Sequence, residues 1–193
     1  MARLDAMIAK LAALGGDHGV ASEGPRAAVA AILRELPGAD SADLFFIRRA
    51  DHPTDPWSGH IAFPGGRRDP GDASLLETAI RETREEVGID LSAGRLLGRL
   101  PDVPAFMRSN GGLVVTPFVF ALSGDVPVVP NVEVATTLWV PVTTLARGEG
   151  KSRFNFDYEG QSYDLPCMHL DPGQHRLWGL TYRMLETLLD AVR

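Results

Sequence analysis

Residues 80 to 89 read IRETREEVGI, which crowds three glutamates, Glu82, Glu85 and Glu86, into five positions. There is no proline, and the one glycine stands near the end, so the stretch reads as a helix. Like charges at this spacing repel one another along a helix. A fold built on this sequence must therefore set that edge where something relieves the repulsion. At about 100° per residue the three carboxylates fall on an arc about 100° wide. Leu76, Ile80, Thr83 and Val87 lie on the opposite side, as a core-facing wall does. Glu77, Arg81 and Glu85 run along an i, i+4 line of alternating sign, which is attractive. We expect a helix over 73–87, with Asp72 as its N-cap and Gly88 ending it.

The rest of the chain supplies strands around this helix. AAVAAILREL reads as a buried strand, although its alanines also suit a helix, and LFFIRR is a strand. HIAFPGGRRDPGD runs from a short strand into a glycine- and proline-rich loop. LLGRLPDV, GLVVTPFVFAL and TTLWVPV follow as strands, with SGDVPVVPNVEV as an irregular connector. SRFNFDYEGQSYDLP reads as a hairpin turning at Glu159 and Gly160. The first sixteen residues read as an amphipathic helix carrying Leu4, Met7, Ile8, Leu11 and Leu14, which packs on the domain or on a second copy in a homodimer. A closing helix over 175–193 carries Leu177, Leu180, Met184, Leu188 and Val192 on its buried side, with Trp178 in the core. Strands interleaved with helices indicate a layered α/β or α+β fold. At 193 residues the simplest organisation is one domain.

Composition excludes several function classes. A formal net charge of −6, with no basic run, argues against nucleic acid as a partner of the bulk surface. The N-terminus has no apolar signal core, because Asp5 and Lys10 interrupt it. No segment approaches membrane-spanning length. A lone cysteine, Cys167, leaves neither an internal disulfide nor a cysteine-based metal centre, which suits a reducing cytoplasm.

In front of the acidic helix stands Phe63-Pro64-Gly65-Gly66, a tight turn whose glycines let backbone come close to the helix edge. A carbonyl from Gly65 or Gly66 beside clustered carboxylates makes an all-oxygen environment, the kind that Mg²⁺ or Mn²⁺ takes.

These residues resemble the signature of the Nudix hydrolases, G-x5-E-x7-R-E-U-x-E-E-x-G-U with U aliphatic. Arg81, Glu82, Thr83, Glu85, Glu86, Gly88 and Ile89 match its second half, with Thr83 polar where an aliphatic residue is usual. The first half departs from it. Ala73 stands where the motif has glutamate, and the motif glycine falls at Arg67, one position after Gly66. The longer loop, FPGGRRDPGDASL, is similar to the coenzyme A pyrophosphatase branch. LFFIRRA, GGLVVTPFVFAL and HRLWGLTYRMLETLLDAV look like that branch too. Its pre-box pattern, R-x3-G-x3-F-P-G-G, is matched at Gly59 and FPGG but not at Asp55, where arginine is expected.

The resemblance implies an α/β/α sandwich with a mixed β-sheet and hydrolysis of a nucleoside diphosphate derivative, a small molecule, with Mg²⁺ or Mn²⁺. It implies Glu82, Glu85 and Glu86 as metal ligands, Glu82 as a possible acceptor of the water proton, and Arg81 orienting an acid. With no glutamate at position 73, either Asp72 or Glu77 has to pair with Arg81. Glu133, in VPNVEVATTLWVP, is placed like a further acid of the coenzyme A branch, or is an ordinary loop glutamate. Arg67, Arg68 and Arg108 are candidates for phosphate contact. Trp57 and Phe106 are candidates for stacking on a base, and His60 lies near enough in sequence to approach the site.

Overall fold

The computed structural model describes residues 7, 9–11, 24–53, 57–105, 112–171 and 174–192. Residues 7 and 9–11 are helical. The elements that follow are β1 (Arg26–Glu35), β2 (Asp43–Arg49), β3 (Ile61–Ala62), β4 (Gly65–Arg67) and helix α1 (Leu75–Val87). After a 3-10 turn (Leu91–Ala93) come β5 (Arg95–Arg99), β6 (Val103–Pro104), β7 (Val114–Ser123), β8 (Val134–Pro141) and a short helix α2 (Val142–Arg147). The chain then forms β9 (Lys151–Tyr158), β10 (Gln161–His169), β11 (Arg176–Trp178) and helix α3 (Gly179–Val192).

The main sheet is mixed. β1 and β7 run parallel along their whole length, from Arg26 opposite Val114 to Glu35 opposite Ser123. The remaining pairings in this sheet are antiparallel. β1 decides the layering. Ala28, Ala30 and Ile32 pack with Phe45, Ile47 and, from α1, Ala79 and Val87. Ala27, Ala31 and Leu33 pack with Leu44, Phe46 and, from α3, Leu185 and Leu188. Alternation of this kind is the period of a strand buried on both faces, and it resolves the ambiguity of AAVAAILREL in favour of a strand. The result is a sheet between helices, the expected α/β/α sandwich.

The edge of β1 away from β7 is shared. Leu33 and Arg34 pair with β2, whereas Ala27 to Val29 pair with β4. Between these, the Ala30 amide donates to the Pro64 carbonyl at 2.8 Å. The glycine-rich loop is thereby built into the sheet. Gly65 adopts a φ of 145°, and a Cβ there would lie 2.2 Å from the Ala28 carbonyl oxygen. Only glycine allows β4 to pass so close to β1.

Several expectations need correction. Helix α1 begins at Leu75, not at position 73, and Ser74 is its N-cap, its hydroxyl accepting the Glu77 amide at 3.1 Å. Glu77 reaches back to the Ala73 amide at 2.6 Å. Ser74 caps the helix and Glu77 reaches one residue further back than a capping box does, which leaves Asp72 for another task. The closing helix begins at Gly179. Arg176 to Trp178 form a strand on β10 instead, because Leu177 faces the α3 core while Trp178 turns to the rings of His60, Phe154 and Phe156. Trp178 is half-buried, not core. Met184 and Leu188 are buried as expected, Leu180 and Val192 only partly.

The hairpin does turn at Glu159 and Gly160, both at positive φ (49° and 77°), which is a type I′ turn. At the N-terminus, Met7 and Leu11 are buried in the chain's own core, and Leu4, Ile8 and Leu14 lie outside the described residues.

Thr83 is fully buried on the packed face of α1, and its hydroxyl has no hydrogen-bond partner. An unsatisfied buried hydroxyl costs about 1 to 3 kcal/mol. Thr83→Val keeps the shape and removes the polar atom, so it is expected to stabilise the fold by roughly 1 kcal/mol, read as a higher urea midpoint at unchanged m-value.

Candidate active site

Helix α1 lies along β1 and β4 with its acidic edge over the Gly65-Gly66 backbone. Glu86 is buried, and its Oε2 accepts the Gly65 amide at 2.8 Å. Arg49 Nη1, from the end of β2, stands 3.8 Å from the other oxygen. Glu82 is half-buried beside Gly66, where a Cβ would lie 2.5 to 2.7 Å from the carboxylate atoms. A side chain at 66 would therefore displace the Glu82 carboxylate from its place. Gly65 turns its amide, not its carbonyl, to the nearest carboxylate. Glu85 is exposed and has Arg81 as its neighbour at 3.3 Å.

Burial differentiates the three acids. It pushes the Glu86 carboxyl up to about 7, against the Gly65 amide and Arg49, with the charges of Glu82 and Glu133 adding to the rise. Burial also pushes Glu82 up, opposed by Arg81 and reinforced by the charges of Glu85 and Glu133. In both groups burial is the largest cause, arginine opposes it and neighbouring carboxylates add to it; a doubly charged cation would offset both the burial and the repulsion.

Arg81 pairs with Asp72, not with Glu77. Its Nε and Nη2 meet Asp72 Oδ1 and Oδ2, each at 2.9 Å. Its Nη1 donates to Glu82 at 2.9 Å and Glu85 at 3.3 Å, and its Nη2 also reaches the Arg67 carbonyl at 3.3 Å. Asp72 is buried and accepts the Asp69 amide and the Thr78 hydroxyl as well. The Arg81 guanidinium, helped by those two bonds, holds the Asp72 carboxyl well below the usual carboxylate range.

Glu133 comes to the site on the segment between β7 and β8. Its side chain is exposed, and its charge acts on both Glu82 and Glu86. Among the other sequence candidates, Arg67 is exposed beside the loop. Arg68 is engaged, donating to the Asp72 carbonyl at 3.0 Å and the Ala73 carbonyl at 3.5 Å. Arg108, Phe106 and Asp55 lie outside the described residues. Trp57 packs against the α3-side core, and the His60 ring lies 4.6 Å from that of Trp178. Arg49 was missed by the sequence reading. The signal was available, since LFFIRR is an apolar strand ending in two arginines.

Among the described residues, no three acidic, histidine or cysteine side chains close around one point. Arginines stand between them, Arg81 at Glu82 and Glu85, and Arg49 at Glu86. The donors are carboxylate oxygens, the chemistry of a hard cation. The residues present therefore fit Mg²⁺ or Mn²⁺, with arginine acting as the counter-charge in this state.

The depressed Asp72 carboxyl sets a pH dependence. A group with a lowered folded-state value contributes stability above its ordinary value, 3.8, and loses that contribution as pH falls further. Asp72→Asn is expected to cost roughly 2 kcal/mol at neutral pH. The gap from the unaltered chain should close as the pH is taken below about 4. Chemical denaturation of both proteins across that range measures it.

The chain is similar to several known proteins. A model of the NUDIX domain matches residues 24–158. The uncharacterized Nudix hydrolase NudL of Yersinia pestis (strain Pestoides F) is 32% identical over 164 residues, which is 84% of this chain and 79% of that one. Among solved structures, the NUDIX domain of Shewanella oneidensis NrtR, complexed with ADP ribose, superposes with a TM-score of 0.58. It is 15% identical and covers 96% of this chain and 98% of its own. A MutT/nudix family protein from Enterococcus faecalis gives a TM-score of 0.56 at 15% identity, over 97% of this chain and 73% of its own. Likeness at that identity concerns the fold. Together with the matched domain and the curated relative, the acidic helix set over its glycine loop shows that this chain belongs to the Nudix hydrolase family.

Proposed function

We propose that the protein hydrolyses the diphosphate of coenzyme A or its derivatives, giving 3′,5′-ADP and a phosphopantetheine species, with Mg²⁺ or Mn²⁺. The observation that carries this reading is the Arg81–Asp72 pair. The coenzyme A-like loop is one residue longer than the general motif and lacks its glutamate, and Asp72 supplies a carboxylate for Arg81 from within that longer loop.

Glu82, Glu85 and Glu86 would hold the ion, with Glu133 from the facing loop. When bound, the ion neutralises the diphosphate and makes the attacking water more acidic. Glu82, whose carboxyl burial pushes up, would accept the water proton. Water attacks phosphorus, the bridging P–O bond breaks, and the released phosphate carries away the bonding pair. Arg81 orients Glu82 and Glu85 without touching substrate. Arg49, Arg67 and Arg108 supply positive charge for the phosphates. Arg68 secures the backbone at Asp72 and Ala73.

A second reading keeps the reaction and changes the substrate to ADP-ribose, a dinucleotide or a nucleotide sugar. Asp55 favours it, standing where the coenzyme A pattern has an arginine. Chromatography of products from purified protein given each compound separates the two. Brisk release of 3′,5′-ADP from coenzyme A supports the first reading. Negligible turnover of coenzyme A beside rapid cleavage of another compound overturns it.

Two further outcomes follow from the acids. Glu85→Gln is expected to lower kcat by about 10²- to 10³-fold while leaving the unfolding free energy in urea within about 0.5 kcal/mol, because the side chain is exposed. Glu86 gives a pH signature. Its folded-state value is raised, so in ion-free protein its contribution to stability is lost as pH rises from 4.5 through about 7. An ion at that carboxylate competes with the proton. The thermal stabilisation given by magnesium should therefore grow as pH rises through about 7 and level off above it.

A further inference from the structure

The segment joining β7 to β8 has no regular structure before Val134, yet it is fastened to the end of the acidic helix. The Val129 amide donates to the Val87 carbonyl and the Asn131 amide to the Glu86 carbonyl, both at 2.8 Å. These bonds satisfy two of the carbonyls that a helix end leaves open. The fit is close, since a Cβ on Gly88 would lie 3.1 Å from Val129 Cβ.

Asn131 is bonded on three sides. Besides its amide on Glu86, its Oδ1 accepts the Glu133 amide at 2.8 Å, and its carbonyl accepts the Val134 amide at 3.2 Å. Glu133 in turn accepts the Ala50 amide through its carbonyl at 2.7 Å. One residue beyond Val134 the β2–β8 ladder slips. Thr136 faces Arg48 and Val134 faces Arg49, so Ala135 is extra. A bulge bends the strand locally. The loop acid is thus held between a turn closed by Asn131 and a bulge at Ala135.

We infer that Asn131 is a positioning residue of this site. Its carboxamide fixes the backbone of Glu133 while its own amide is anchored on Glu86, so that one side chain sets the loop acid relative to the helix acids. The inference rests on the reading of Glu133 as a ligand of the ion. Without the carboxamide, an exposed glutamate on an irregular segment regains conformational freedom, and that freedom must be lost again whenever the ion binds. Outer partners that orient metal ligands typically change metal affinity or activity by about 10- to 100-fold when removed.

The test is Mn²⁺ binding to the full chain without nucleotide, followed by electron paramagnetic resonance, together with kcat and KM on whichever diphosphate the protein cleaves. Asn131→Ala is expected to weaken Mn²⁺ binding by about 10-fold and to lower kcat more than it changes KM. Asn131→Asp keeps the accepting oxygen and should recover most of the loss. In a Glu133→Gln background, Asn131→Ala should add nothing further, because the asparagine acts through that glutamate. Additive losses in the double variant, an Asp variant as poor as Ala, or undiminished Mn²⁺ binding in Asn131→Ala would each overturn the inference. If Glu133→Gln alone binds Mn²⁺ normally while Glu86→Gln does not, Asn131 loses its role and the proposed reaction stands. If Glu86→Gln also binds and hydrolyses normally, the reading of the whole site fails.

Discussion

One guanidinium joins the glycine-rich loop to the acidic helix. Arg81 lies on the helix, but its fork is taken by Asp72 on the loop, and its remaining donors reach Glu82, Glu85 and the Arg67 carbonyl. A planar fork held by two parallel bonds at 2.9 Å has little freedom to rotate. The other donors are consequently fixed in space, and with them the two carboxylates they touch. The repulsion along the helix edge is balanced from within the helix itself, one arginine serving two glutamates. Asp72 makes this arrangement durable, because its own oxygens are also satisfied by the Asp69 amide and the Thr78 hydroxyl.

The same geometry gives the three glutamates different characters. Glu86 faces inward, bonded to the Gly65 amide and shielded from water; Glu82 is half-shielded against Gly66; Glu85 looks out. The gradient follows from where the loop passes. Gly65 and Gly66 bring β4 under the first two carboxylates and leave the third uncovered. A buried carboxylate favours its neutral form, and burial pushes both Glu86 and Glu82 up. On the proposed reading, the three carboxylates would have distinct tasks. An inward acid whose proton an ion can displace would suit ion binding. A half-shielded acid with a raised pKa suits proton transfer.

Much of this was legible in the sequence. The period of Leu76, Ile80, Thr83 and Val87 placed only part of the packed wall of the helix, since Thr83 and Val87 are buried, Leu76 and Ile80 are half-buried, and Thr78, Ala79 and Glu86 complete the buried face. The type of most strands followed from apolar runs. What was not legible depended on contacts distant in sequence or on competition between local signals. Asp72 and Ser74 both suit an N-cap, and only the three-dimensional position of Arg81 draws Asp72 away. The pattern of RLWGLTYRMLETLLDAV is helical throughout, so its first three residues become a strand only because β10 offers an edge and Gly179 takes a φ of 67°. Arg49 gains its meaning from Glu86, 37 positions later in the numbering of the chain.

The charge balance bears on how an acidic protein accepts an anion. The chain carries a net −6, and its acidic edge would by itself repel a diphosphate. Arg81 is already committed to Asp72, so its charge serves the carboxylates and not the substrate. Arg49 Nη1 stands 3.8 Å from Glu86 Oε1, beyond the length of a strong charge-assisted bond. On the proposed reading, an ion at Glu86 would weaken the hold of that carboxylate on Arg49 and add positive charge beside it. Both effects would favour an anion at the same place. The ion and the diphosphate would then each make the site more receptive to the other, since linked binding energies are reciprocal.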